Sequence, residues 1–205
     1  RGQGLVSQSE LDTAEREAFE MASGCALLDL SPFTKIAVSG PDALGFLDRL
    51  ATARIDVEVG RCVYSLMLNV RGGSEADVTI TRLAPDRFRI VSGAATRRRD
   101  LALLRRALCG QAVQIRDVTE DDAIIGVMGE ASRQILSGLS SDDWTGFAFS
   151  TMRNVTVVGV ACAATRLSYV GERGWELTIP GESAGTVFDA LIAAGARPMG
   201  HFALN

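Results

Sequence analysis

The strongest constraint on this chain is a pattern that occurs twice. Lys35-Ile36-Ala37-Val38-Ser39-Gly40 matches Ile124-Ile125-Gly126-Val127-Met128-Gly129 in apolar order at an offset of 89, and Phe46-Leu47 falls on Ile135-Leu136 at the same offset. Further on, Phe88-Arg89-Ile90 falls on Trp175-Glu176-Leu177 at an offset of 87. Self-similarity at a fixed period means that one supersecondary unit is used twice. Thr34–Ser39 alternates with the period of a strand, and Gly40-Pro41-Asp42 then opens a helix that buries Leu44, Leu47 and Leu50. Val63–Leu68, Asp77–Leu83 and Arg87–Val91 read as strands separated by Arg71-Gly72-Gly73 and Pro85-Asp86 turns. Thr96 is placed to cap a helix with Leu101, Leu104 and Leu108 on its apolar face.

The second copy repeats this order. Val113–Val118 and Ala123–Met128 read as strands, and a helix follows Gly129 with Ile135, Leu136 and Leu139. Strands over Val155–Val160, Ala164–Tyr169 and Trp175–Ile179 precede a helix over Ser183–Ala194, which Gly195 stops. A further helix is expected ahead of the repeat, over Ser9–Ala22. The pattern predicts an α+β fold of two similar halves, about 33–110 and 123–195, with mostly antiparallel sheets. No stretch of Pro, Gly and Ser divides them, so one domain over 1–205 with a shared core is expected.

Composition removes several functions. The net charge of −4 offers no basic field for nucleic acid. His201 is the only histidine, which leaves little for a Ser-His-Asp triad or a histidine-based metal site. Neither a phosphate-binding P-loop nor a Gly-x-Gly-x-x-Gly after a strand is present. Cys25, Cys62, Cys109 and Cys162 lie too far apart for a zinc or redox motif and read as four buried free thiols of a reducing compartment. Lys35 is the only lysine among 21 basic residues, a bias associated with bacterial genomes rich in GC. Val155–Ala164, the longest apolar stretch, is about half a membrane span, and no signal peptide is visible, so a bacterial cytoplasmic protein is expected. Both ends read as cut from something longer. Arg97-Arg98-Arg99 with Arg105-Arg106 reads as a solvated helix face or a dock for a polyanionic tail.

Two segments can carry chemistry. In the first, Tyr64-Ser65-Leu66-Met67-Leu68-Asn69 runs into Gly72-Gly73-Ser74-Glu75-Ala76-Asp77, so a glycine turn delivers a carboxylate where the next strand begins. A hairpin with a surface acid has the same pattern. In the second, Ser168-Tyr169-Val170-Gly171-Glu172-Arg173-Gly174-Trp175-Glu176 brackets a carboxylate with glycines and aromatics. That suits a flat heterocycle with donor nitrogens, and a plain turn equally.

Taken in order, these segments resemble the glycine-cleavage T-protein (aminomethyltransferase) family. The resemblance rests on Leu28-Asp29-Leu30-Ser31-Pro32-Phe33, Lys35 to Ala43 with Phe46-Leu47, Tyr64, Met67-Leu68-Asn69, Gly72-Gly73, and the Tyr-x-Gly-Glu-x-Gly-x-Glu stretch from Tyr169 to Glu176. Phe88 to Leu104, and Gly200 to Asn205, look like the C-terminal folate-binding region of dimethylglycine and sarcosine dehydrogenases. The resemblance implies two α+β halves that exchange their first strands, followed by a small β-domain not contained in this sequence. It implies tetrahydrofolate as cofactor and a small methylated amine, or its imine product, as reaction partner. FAD would enter only through a domain upstream in the same chain. In that family the first of two adjacent aspartates is the catalytic one, a position held here by Ala76; Asp77 is the candidate catalytic residue, and Phe33, Tyr64, Tyr169 and Glu172 are the candidate cofactor contacts, expected to line one cavity between the halves. One departure stands out. T-proteins carry two adjacent aspartates after the glycine pair, and here the first position is Ala76, with only Asp77 kept. The arginine of their last segment falls at Leu204.

Overall fold

The computed structural model describes Ser9, Asp12, Thr13, Glu15 and residues 24–168 and 173–200. The helix expected over Ser9–Ala22 therefore lies mostly outside the described residues, as do Tyr169, Glu172 and His201–Asn205. Two compact units emerge: one contains 1–30, 124–149 and 154–205, and the other 31–123 and 150–153.

The unit around 31–123 is a five-stranded antiparallel sheet with helices on one face. Its elements are β2 (Thr34–Ser39), α1 (Ala43–Leu50), β3 (Cys62–Leu68), β4 (Ser74–Ala84), β5 (Arg87–Ser92), α2 (Arg97–Arg106) and β6 (Gln114–Asp117). The strand order is β3-β4-β5-β2-β6. Helix α1 has eight residues, too short to persist alone, and it is held by burying Ala43, Phe46 and Leu47 at helical spacing. These meet Ile36 and Val38 of β2, Ile80 of β4 and Phe88 of β5 in one apolar cluster. Each large side chain buried there contributes about 1.5–3 kcal/mol. Thr96 does not cap α2 as expected. Its hydroxyl instead reaches Asp100 at 2.5 Å, and Ser92 donates to the same buried carboxylate at 2.7 Å.

The other unit is a six-stranded sheet in the order β11-β1-β7-β10-β9-β8. Its elements are β1 (Ala26–Asp29), β7 (Asp122–Met128), α3 (Ser132–Leu139), β8 (Met152–Val157), β9 (Val160–Thr165), β10 (Gly174–Pro180), α4 (Ala184–Ala193) and the short β11 (Arg197–Pro198). It has its own core, in which Leu27, Val127, Leu136, Leu177 and Leu191 pack around Trp144, Phe147 and Trp175. One expectation is corrected here. Val155–Val160 is not one strand but the end of β8, a two-residue turn and the start of β9. Val158 (φ 45°) and Gly159 (φ 81°) both take the left-handed conformation that tight hairpins require, and an apolar Val-Gly pair gives little warning of it.

The repeat is visible bond by bond. Gly40 and Gly129 both have positive φ, 131° and 117°. The Gly40 N–H donates to Asp86 O and the Gly129 N–H to Arg173 O, while Ala43 and Ser132 donate back to the two glycine carbonyls. Read from their shared ends, β3-β4-β5-β2-β6 and β8-β9-β10-β7-β1 are the same arrangement. The last strand of each is the informative one. β1 stands just ahead of β2 in sequence but pairs antiparallel with β7, Leu27 opposite Val127. β6 stands just ahead of β7 but pairs antiparallel with β2, Ile115 opposite Val38. The leading strands are exchanged.

Cys25, Cys62 and Cys162 are buried free thiols, whereas Cys109 is exposed, against the expectation of four buried ones. Burial pushes the Cys25 thiol up to about 12, so it stays protonated and inert.

Two glycines give opposite predictions. A Cβ on Gly40 would lie 2.2 Å from the Ala112 carbonyl oxygen, in a conformation that side chains resist. Gly40→Ala should cost about 2 kcal/mol or more. Gly45 sits in α1 with open space around its Cα, so Gly45→Ala should add about 0.5–1 kcal/mol. Urea midpoints of both variants check the pair.

Candidate functional site

Strand register brings three of the expected site residues to one end of the second unit's sheet. Thr34 of β2 lies opposite Ser92 of β5, and Ser92 lies opposite Val78 of β4. Phe33 and Asp77 each stand one residue before that rung on strands running in the same direction. They are therefore level with each other, two strands and about 10 Å apart. Asp77 points to the face opposite the helices, because alternation along β4 buries Ala76, Val78 and Ile80. Tyr64 faces the same way from the neighbouring strand, and its hydroxyl donates to Asp77 Oδ2 at 3.1 Å. That bond raises the phenol's pKa above its ordinary value, because the carboxylate holds the proton on the oxygen. Tyr64 is 65 % exposed, so the pair is open to a ligand.

The hairpin before Asp77 is built to hold it. Asn69 Oδ1 accepts from the Arg71 and Gly73 amides at 2.9 and 3.0 Å, and Asn69 Nδ2 donates to Glu75 at 3.0 Å. Gly72 takes φ +79°, and a Cβ on Gly73 would stand 2.9 Å from Asn69 Nδ2. The turn thus favours glycine at 72 through its backbone conformation, and a side chain at 73 would displace the Asn69 amide. Ala76 is 1 % exposed within the apolar core. An aspartate there, on this backbone, would bury an unpaired charge at a cost of several kcal/mol.

Lys35 secures the other side of this end. It is completely buried, and its Nζ donates to Ser31 O at 2.8 Å and Phe33 O at 3.3 Å, closing the loop that carries Phe33. Burial lowers the pKa of its amine, an effect opposed by the nearby carboxylates of Asp122 and Glu120. Its backbone is pinned as well, the amide on Thr119 Oγ1 and the carbonyl on the Val118 amide.

In the first unit, Tyr169 and Glu172 fall outside the described residues. The strand that follows them contains the last acid of the same segment, which was not among the candidate site residues. Glu176 on β10 is 8 % exposed, lies opposite Thr165 of β9, and has no hydrogen-bond partner among the described residues. Burial pushes its carboxyl up to about 7. The buried hydroxyl of Ser168 is likewise without a partner. The available signal was a single charged side chain inside an otherwise buried strand. Among the described residues no group of three or more His, Cys, Asp or Glu could hold a metal, and no helix is long and apolar enough to cross a membrane.

The raised carboxyl of Glu176 makes stability depend on pH. Protonated, it is tolerated in its buried position; ionised, it is not. Its contribution is fully present below the unfolded value near 4.5 and is lost as pH rises through about 7. The shift corresponds to a few kcal/mol, on the order of 1.4 per pH unit. Urea unfolding at pH 5 and pH 8 should show the wild type weaker at the higher pH, and Glu176→Gln should remove most of that difference.

The GCVT N-terminal domain family model matches residues 6–205. The chain is 43 % identical over 186 residues to 4-methylaminobutanoate oxidase (formaldehyde-forming) of Paenarthrobacter nicotinovorans, covering 90 % of this chain and 23 % of that protein. It is 36 % identical to mitochondrial sarcosine dehydrogenase of Homo sapiens over 203 residues, 91 % of this chain and 22 % of the relative. The glycine cleavage system aminomethyltransferase T of Bartonella henselae superimposes with a TM-score of 0.84 at 25 % identity, over 93 % of this chain and 52 % of that one. The chain thus spans less than a quarter of those two curated relatives and about half of the solved aminomethyltransferase. With a family model matched along nearly its whole length and a shared architecture, the chain belongs to the glycine-cleavage T-protein family.

Proposed function

We propose that this chain binds tetrahydrofolate and supports transfer of a one-carbon unit to it, forming 5,10-methylenetetrahydrofolate. The observation that carries the reading is the Tyr64–Asp77 pair, an accessible carboxylate held at 3.1 Å by a phenol at the end of a rigid glycine hairpin. The buried carboxylate of Glu176, which has no side-chain hydrogen-bond partner among the described residues, adds an acceptor that a donor-rich heterocycle would satisfy. When bound, tetrahydrofolate supplies two amine nitrogens, N5 and N10, which together receive one carbon at the oxidation level of formaldehyde. The printed name of the Paenarthrobacter relative, formaldehyde-forming, fits that oxidation level. The donor would be a small methylated amine or its imine product, delivered by an FAD-bearing region of the same protein.

Within that reaction the chain's residues position and exchange protons. Asp77 accepts the proton released as the nitrogen bonds to carbon, and as an anion it favours cationic character at the reacting centre. The Tyr64 hydroxyl orients the Asp77 carboxylate. Phe33, fixed through Lys35, and Tyr169 supply apolar surface for a flat ring. Glu172 accepts from the paired amino and ring N–H donors of the pterin edge, and Glu176 is a further candidate for that role. Most of the acceleration comes from holding two reactants in register. Ala76 favours a second reading, in which the chain binds folate without catalysing transfer. The residue at that position is a methyl in the core.

Tetrahydrofolate titrations and one-carbon transfer rates, measured on the protein as the cell makes it, separate these readings. Glu172→Gln replaces an acceptor with a donor facing donors, so affinity should fall by about ten- to a hundred-fold with little change in Tm. Asp77→Asn should slow transfer more than it weakens binding. Folate binding without one-carbon transfer by the wild type would leave the binding-only reading, unchanged transfer in Asp77→Asn would remove Asp77 from the catalytic role, and no folate binding by the wild type would overturn both readings.

A further inference from the structure

The face that carries Asp77 holds a second constellation at the opposite end of the same sheet. Along β2 the residues on this face are Lys35, Ala37 and Ser39, alternating with the core residues Ile36 and Val38. Ala37 lies opposite Arg89 of β5 on one side and Arg116 of β6 on the other. Ser39, one rung further, lies opposite Arg87 and Gln114. Two small side chains in the middle strand are thus walled by long cationic and amide side chains on both flanks. The result is a cavity of about 400 Å³ lined by these six residues together with Leu83, Val118, Asp121 and Asp122. That volume falls in the range of small-molecule sites, about 300–1,000 Å³.

The charges inside are arranged rather than random. Arg89 is tied to Asp122 at 3.0 Å, and both side chains are 23 % exposed. Arg116 reaches Asp121 at 3.3 Å. The side chains of Arg87, Ser39 and Gln114, which share one rung of the ladder, have no hydrogen-bond or ion-pair partner among the described residues. Three arginines against two aspartates leave the cavity with a positive balance in a chain whose net charge is −4. A guanidinium, an amide and a hydroxyl stand side by side on the rung next to Ala37, and together they offer several N–H and O–H donors. That set matches the oxygens of a carboxylate or phosphate, which accept several N–H and O–H donors at once.

We propose that this cavity is a binding site for a small metabolite bearing an oxyanion, held by Arg87, Gln114 and Ser39, with Arg89 and Arg116 as its side walls. Arg87 faces the anion directly. Arg89 is a positioning residue, because its guanidinium is already committed to Asp122. The site is separate from the Tyr64–Asp77 pair and does not depend on the folate reading. Asp77 lies four residues along β4 from Thr81, the residue paired with Arg89, which is about 13 Å of strand.

Calorimetric titration of the protein, as the cell makes it, with succinate and with inorganic phosphate tests the assignment. The wild type should bind at least one of the two with a dissociation constant of about 1 mM or below. Which one binds distinguishes a carboxylate from a phosphate ligand. Arg87→Gln should weaken binding about ten-fold or more, since a charge-assisted contact is lost. Ala37→Leu changes no charge but fills the trough between the flanking arginines, and it should abolish binding while leaving folate affinity unchanged. Arg98→Gln, on helix α2, should bind as the wild type does. Failure of the wild type to bind either probe at about 20 mM, or wild-type affinity in Arg87→Gln or in Ala37→Leu, would overturn the proposal.

Discussion

The pairing of each leading strand with the other repeat's sheet is the constraint on which the remaining structure depends. β1 lends Ala26–Asp29 to the ladder beside β7, and β6 lends Gln114–Asp117 to the ladder beside β2. The five-stranded sheet is made from the consecutive strands β2 to β6, whereas the six-stranded sheet needs β1 from ahead of them and β7 to β11 from after them. Without β1, the buried run Ile124–Met128 would lose the backbone partners along one side, and buried amides left unpaired cost about 1–3 kcal/mol each. This explains why the chain carries no linker between its repeats. The crossings at Leu30/Ser31 and Ala123/Ile124 follow directly from strands that must be made in one half and used in the other.

The same ladders set out the chemistry. β2 is the inner strand that β6 completes, and everything on its outward face follows from alternation along Lys35, Ala37 and Ser39. At one end the Lys35 amine fastens the Phe33 loop, and the rung beyond it is level with Asp77. At the other end the small side chains leave room between arginines. Strand β2 thus carries the Lys35 clamp at one end and the small side chains of the donor-rich cavity at the other, because residues two apart must face the same way.

The fold was legible in the sequence because it is written twice. A strand-to-helix start around Gly40 is weak evidence alone, but its echo at Gly129 with matching apolar pairs is not. The exchange of leading strands came only with the family resemblance, since no local pattern in Ala26–Asp29 says which sheet will take it. Misreadings occurred where a local signal was absent or outcompeted. The Val158-Gly159 turn hides inside an apolar run. Thr96 is a good cap on paper, yet Asp100 captures its hydroxyl. Cys109 follows helix α2 in a polar turn, which a rule about cysteine burial overlooks. The site was legible in part. The glycine turn announced Asp77, whereas Glu176, at the end of the glycine-bracketed segment, was singled out only by the burial of its carboxylate. Lys35 looked like a mark of genome composition and is a buried clamp on the Phe33 loop.

The central claim is the proposal that this chain binds tetrahydrofolate and that Asp77 and Glu172 are among its contacts. Hydrogen–deuterium exchange with and without tetrahydrofolate tests it most directly, because it reports on backbone segments rather than on one substituted residue. The account predicts ligand-dependent protection in the Asn69–Asp77 hairpin and in the segment from Tyr169 to Glu176, with little change in helix α2. Protection confined to α2 and its arginines, or no protection anywhere at saturating folate, would contradict it.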